Sequence, residues 1–318
     1  MSFYAFTFVA QLGLAGTLSG VVLFALMLVA RGVVFGAMMP AVLVSSQAYV
    51  ADTTTGQKER TEGIAKIQAA NGLGLVVGPA LGGLLAGISL LTPLYFAPTV
   101  TLLVAVLMWR MLPLPERRTT SASAPRLSPL DGRIWPFLLV GFSIFLSLGM
   151  ANITVGFLFQ DRLALSAQET AQAVGMALLA TGLAAAVAQL VMVPKLGWGP
   201  SALLRAGIPV QALAFALLTF ADSFFLLTLA LVILGLGFGL AVPGYTAAPT
   251  LLVGGEEQGG VAGLISATNG LAFVLGPLFG TALYGLRPEY PYIFGAAVLI
   301  LVSAFAYAHP RVRKVRKP

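Results

Sequence analysis

Arg31 stands about ten residues into an apolar run and is the one basic side chain well inside any such run. A guanidinium in hydrocarbon is costly unless it meets an acid, backbone carbonyls or a water-filled cavity, so this position points to electrostatic chemistry inside a membrane. The competing reading is a side chain that snorkels to the interface on its aliphatic stem. Gly78-Pro79 and Gly276-Pro277 form a second kind of position. Proline there removes a backbone hydrogen bond and bends a helix, and glycine lets a neighbouring helix approach. Either pair alone reads as a packing kink; recurrence in two halves of a chain points to a gating interface. Gln47, Asn71, Asn152, Gln160, Gln189, Tyr245 and Asn269 are uncharged polar groups in or beside apolar runs. Such groups orient a ligand in an apolar cavity or join helices by hydrogen bonds. Asp52, Glu59, Arg60 and Glu62 lie outside the runs, where a solvated charge cluster is the ordinary explanation, and Asp161 with Arg162 reads as the boundary of a run.

Other chemistries lack raw material. The sequence has no cysteine and one histidine, His309, beside a basic tail, so thiolate metal sites, disulfides and Cys or His nucleophile systems are not expected. No P-loop is present, which removes ATP as a direct driver. The sequence therefore predicts neither an enzyme nor a bound metal or cofactor.

The elements that must position these residues follow from composition. The 318 residues are 58% hydrophobic and 9% charged, against about a quarter charged in an ordinary soluble domain. Apolar runs recur near or above the ~20 residues that a helix needs to cross ~30 Å of hydrocarbon. They lack the alternation of lipid-facing strands, so helices satisfy their backbone groups. Ten spans are predicted, over residues 3–18, 21–50, 67–88, 94–112, 134–159, 170–193, 203–220, 224–250, 261–286 and 292–308. The fold expected is all-α and integral to the membrane, as two bundles of four and six helices. Residues 1–113 form an incomplete first bundle, 114–133 a cytoplasmic linker rich in Pro, Ser and Thr, 134–310 the second bundle and 311–318 a basic cytoplasmic tail.

With the N-terminus inside, fifteen Lys and Arg fall on the cytoplasmic face and two, Arg162 and Arg287, on the other. The positive-inside rule then puts both termini in the cytoplasm. The net charge of +7 is mostly this topology signal, and the tail reads as a lipid-touching end rather than a nucleic-acid site.

An internal repeat carries most information. The stretch from Asn71 to Gly82 matches that from Asn269 to Gly280 at an offset of 198, with Pro93 and Phe96 continuing onto Pro291 and Phe294. Gly32, Phe35, Gly36 and Pro40 match Gly235, Phe238, Gly239 and Pro243 at an offset of 203. The halves are parallel repeats. The spans between 134 and 193 find no partner within the sequence, so a six-plus-six architecture lacking two N-terminal helices is expected.

Taken together, Arg31 with Gly32 and Gly36, Ala48-Tyr49-Val50-Ala51-Asp52 followed by Glu59-Arg60, and Gly74 through Gly78-Pro79 to Gly82-Gly83 resemble the major facilitator superfamily. The similarity is to its drug/proton antiporter branch, near the tetracycline-resistance exporters. The signature loop between that family's helices two and three has only a degenerate counterpart here, Pro194-Lys195-Leu196-Gly197-Trp198-Gly199. The resemblance implies a monomeric exporter of a small amphiphilic compound, exchanging it for protons by alternating access in the inner (plasma) membrane. It implies a proton-coupling role for Arg31 and a cytoplasmic latch at Asp52, Glu59 and Arg60. Gly74, Gly78, Pro79, Gly82 and Gly83, with Gly276, Pro277 and Gly280 in the second half, would hold the cavity closed against leakage. Gln47, Asn71, Asn152, Gln189, Tyr245 and Asn269 are the candidates for the substrate cavity. A uniporter or importer of the same fold, or a shortened non-transporting membrane protein, stays open as an alternative.

Overall fold

The computed structural model describes residues 2–17, 19–30, 91–111, 127–254 and 257–314, with positions 42, 45–46, 49–50, 53, 63, 67, 70, 74, 78, 81–82, 85 and 88–89 between them. Arg31, Gln47, Asp52, Glu59, Arg60, Asn71, Pro79 and Gly83 lie outside the described residues.

Among the described residues the regular elements are all helices. They are α1 (Ser2–Leu14), α2 (Gly20–Met27), α3 (Thr92–Met111), α4 (Trp135–Leu163), α5 (Ala167–Val187), α6 (Pro200–Phe220), α7 (Phe224–Thr250), α8 (Gln258–Leu286), α9 (Tyr290–Ala308) and the short α10 (Pro310–Lys314). α5 runs on through a π-helical stretch, Ala188–Met192, into a last turn, Val193–Leu196. Seven of these rods are long and apolar enough to cross a membrane.

Local chemistry sets where the rods stop. α4 starts with Pro136 in its first turn, where a missing N–H costs nothing, and ends at Ala164 in the left-handed region. α5 opens with a capping box: the Ser166 hydroxyl accepts from the Glu169 N–H while the Glu169 carboxylate accepts from the Ser166 N–H. Its final turn closes on Gly197 at φ 61°, the conformation that glycine adopts without strain. α1 ends at Leu14, short of the expected residue 18, because Gly16 at φ 72° and Gly20 at φ 61° turn the chain into α2.

The chain divides into two compact units, Met1–Leu75 with Leu84–Ser121, and Val76–Gly83 with Ala122–Pro318. In the first, α1 packs on both α2 and α3. The Thr7 hydroxyl donates to the Leu94 carbonyl at 2.7 Å, and most of α3 presents apolar side chains outward, Trp109 and Leu103 among them.

In the second, α4, α6, α7, α8 and α9 share one core whose largest buried side chains include Tyr245, Tyr292, Phe137, Phe159 and Phe215. Helices in lipid gain little from apolar burial alone, and close backbone approach through small residues takes its place. α7 shows this on two flanks. A side chain at Gly235 would strike the Thr181 carbonyl, and a Cβ at Gly239 would lie 2.6 Å from the Ala185 carbonyl, both on α5. On the other flank, a Cβ at Gly237 would lie 2.7 Å from the Gln211 nitrogen, and one at Gly244 2.6 Å from the Pro200 carbonyl, both on α6.

Candidate functional site

A wall of aromatic side chains, the candidate for ligand binding, is built by α4, α7 and α8. Phe145 on α4 lies 5.4 Å, ring centroid to centroid, from Phe238 and 6.1 Å from Tyr245, both on α7. It lies 5.6 Å from Phe273 on α8. The rings meet edge-on or tilted, as their quadrupoles favour. Gly141 leaves room for the Tyr245 ring, which would otherwise collide with a side chain there. The Tyr245 hydroxyl donates to the Asn269 side-chain oxygen at 3.0 Å.

Burial grades across the group. Tyr245 and Phe145 are buried, Phe238 and Asn269 half-buried, and Phe273 exposed. Rings are thus offered at the edge of a packed bundle with a single amide–phenol pair among them and no titratable acid. Such a surface could select a ligand by shape, stacking and one hydrogen bond. Pro249 and Pro277 lie inside their helices, so they donate no N–H to the carbonyls of Tyr245 and Phe273, four residues earlier.

Of the sequence candidates, the structure brings Tyr245 and Asn269 together. Asn152 is exposed on α4, and Gln189 sits half-buried in the π-helical stretch; neither is hydrogen-bonded to the pair. Phe145 was not singled out from sequence, and Phe238 and Phe273 fell within the repeats without being named for the cavity. The spacing of Tyr245 to Pro249 and of Phe273 to Pro277 is the signal that marks two of the three helices concerned.

The glycine motif is explained in its second copy. A Cβ at Gly276 would lie 2.8 Å from the Leu146 carbonyl and 2.9 Å from the Gly149 Cα, and one at Gly280 3.1 Å from the Met150 Cα. Gly276 and Gly280 thus let α8 lie backbone to backbone along α4, and Pro277 packs in the same crossing, its Cδ near Gly149. At Gly74, Gly78 and Gly82 a Cβ would meet nothing within 4 Å.

Charged groups bind the bundle at both ends. At the linker end, the Arg133 guanidinium donates to Asp131 at 2.8 Å and to Glu257 at 2.8 and 3.0 Å, tying the start of α4 to the α7–α8 turn. The hydrogen bonds from Arg133 hold the Asp131 carboxyl down at about 2 and the Glu257 carboxyl below its usual range, while raising Arg133 itself. At the far end, Arg162 pairs with Glu289 at 2.8 Å and donates to the Thr219 carbonyl at 3.3 Å. Beside it the Tyr284 hydroxyl donates to Asp161 at 2.6 Å.

Membrane-length helices with apolar exteriors and an internal parallel repeat define a multi-span α-helical membrane protein. Residues 2–195 and 137–318 each match the Major Facilitator Superfamily, and the chain belongs to that family, one of transporters rather than enzymes. It is 29% identical over 282 residues to multidrug resistance protein 2 of Bacillus subtilis (strain 168), covering 85% of this chain and 68% of that protein. It is 28% identical over 271 residues to the class C tetracycline resistance protein of Escherichia coli, covering 80% and 66%. The chain thus spans about two thirds of the length of these relatives. The crystal structure of the human organic anion transporter MFSD10 (TETRAN) shares the fold, with a TM-score of 0.64 at 22% identity over 96% of this chain and 75% of that one.

Proposed function

We propose that this chain acts in the export of a small amphiphilic compound, exchanged for protons by alternating access. The observation that carries the reading is the wall of Phe145, Phe238, Phe273 and the Tyr245–Asn269 pair: apolar, aromatic, sparsely polar and without an acid. A surface of that kind suits ligands that share an apolar body and differ in detail. The names of the multidrug and tetracycline resistance relatives point the same way. Because the wall has no acid, coupling falls to residues elsewhere, and Arg31 is assigned to it on its position within an apolar run.

The second glycine motif supports a gating role for Gly74, Gly78, Pro79, Gly82 and Gly83 by analogy, since Gly276 and Gly280 set how α8 rides on α4. A latch at Asp52, Glu59 and Arg60 is assigned on the family resemblance of Ala48 to Asp52 and of Glu59-Arg60. Both termini are assigned to the cytoplasm, the membrane to the inner (plasma) membrane, and the working unit to a monomer of two bundles, 1–113 and 134–310.

The test is ethidium accumulation in everted membrane vesicles carrying the protein, energised by a proton gradient. Phe238→Ala is expected to lower uptake at least about fivefold at low ethidium while leaving expression unchanged. Uptake by the parent that ignores collapse of the proton gradient would overturn antiport in favour of uniport. Unchanged uptake in Phe238→Ala would remove the wall from substrate binding.

A further inference from the structure

We infer that Asp161, Tyr284 and Phe157 form a second ligand subsite, for an organic cation, at the end of the second bundle away from the linker. The inference deepens the export reading by naming a substrate class. The Tyr284 hydroxyl donates to one oxygen of Asp161 at 2.6 Å, and the Phe157 ring lies 5.7 Å from the Tyr284 ring, tilted by 48°. The second carboxylate oxygen lies at a surface where Asp161 and Phe157 are exposed and Tyr284 is half-buried. Carboxylate and aromatic faces together recognise a cation with an apolar skirt, an alkylated or arylated ammonium or phosphonium, better than either alone.

Electrostatics single out Asp161 among its neighbours. It lies in the last turn of α4, where the partial negative charge of the helix end disfavours an anion. The adjacent Arg162 makes its ion pair with Glu289 and donates to the Thr219 carbonyl, not to Asp161. Among the described residues no ion pair reaches Asp161. The site is also held in place. α4 and α8 run parallel along a seam from Phe145–Phe273 through Gly149–Gly276 and Met150–Gly280 to Asp161–Tyr284. The subsite lies about 24 Å along α4 from Phe145, at 1.5 Å per residue. A cation leaving the aromatic wall would meet a counter-charge at the bundle's far end.

Equilibrium dialysis of radiolabelled tetraphenylphosphonium against the purified full chain in detergent, with empty micelles as blank, tests this without transport. Saturable binding is expected, weakened about tenfold by Asp161→Asn, equivalent to about 1.4 kcal/mol, and about threefold by Phe157→Leu, which keeps the bulk but removes the ring. Asp161→Glu should restore most of the affinity, separating loss of charge from loss of fold. An unchanged dissociation constant in Asp161→Asn overturns the subsite, as does a loss confined to Phe238→Ala, which would place the cation at the central wall. Competition by uncharged triphenylphosphine oxide as strong as by the unlabelled cation would show apolar binding only. Displacement by millimolar magnesium would show an inorganic site; either result refutes the assignment. Export failing while this binding persists would sink the transport reading and leave the subsite standing.

Discussion

Replacing Gly276 with alanine adds one methyl group at the point where α8 rests on α4. The new Cβ would sit 2.8 Å from the Leu146 carbonyl and 2.9 Å from the Gly149 Cα, both backbone atoms that no rotamer change can move aside. Two helices must separate, or α8 must slide, and such overpacking costs about 1–3 kcal/mol. Alanine also gains about 1 kcal/mol over glycine in a helix interior, leaving a net loss of about 1 kcal/mol. For a bundle of this size that is roughly a 2–4 °C fall in melting temperature. Gly270 is the control, six residues earlier on the same helix, with nothing within 4 Å of a Cβ. Gly270→Ala gains the propensity and meets no atom, so it should hold or raise the melting temperature. The assay is thermal unfolding of the detergent-solubilised protein followed by helical circular dichroism, with the variants side by side. Equal shifts in the two variants would refute the idea that this seam is closed by backbone contact.

Acid should release the linker-end ion cluster. Asp131 and Glu257 have folded carboxyls held below their ordinary values of 3.8 and 4.5, so the stability they contribute is complete above those values and lost as pH falls below them, for Asp131 through about 2. The melting difference between the parent and Glu257→Gln should be constant from about pH 8 to about 5 and shrink below about 4; a difference that grows on acidification contradicts the pairing. In the aromatic wall, a double-mutant cycle of Tyr245→Phe and Asn269→Leu should give a coupling of about 0.6–1.7 kcal/mol, the range of interhelical hydrogen bonds in bilayers. Zero coupling would show that the phenol and the amide are not bonded in the folded protein.

The second bundle was legible because hydrocarbon thickness fixes the length of each apolar run. The expected spans 224–250 and 203–220 correspond to Phe224–Thr250 and Pro200–Phe220, and capping residues account for the small differences. The repeat, too, pointed to Gly276-Pro277 as a special place, and Tyr245 and Asn269 were named from polarity alone. Their pairing was not legible, since it depends on how far α7 and α8 are rotated about their axes. Phe238 and Phe273 stood in the repeats, but of 20 phenylalanines neither repeat nor composition says that these two converge on Phe145. Arg162 and Glu289 meet across 127 residues through the docking of α4 against the start of α9, which no local pattern announces. The π-helical stretch at Ala188–Met192 carries no sequence mark that separates it from the turns around it.

α7 advances about 100° per residue, which places Gly235 with Gly239 on one flank, Gly237 with Gly244 on the opposite one, and Phe238 with Tyr245 on the strip between. The first two flanks are closed to any side chain by the backbones of α5 and α6. Mutational drift on this helix is therefore filtered by geometry before selection for substrate acts. Changes on the glycine flanks break the bundle. The strip that bears Phe238 and Tyr245 is free of such backbone contacts, so substitutions there leave the helix in its seat. If the wall binds substrate as proposed, relatives that differ in what they export should differ along this strip of α7 first.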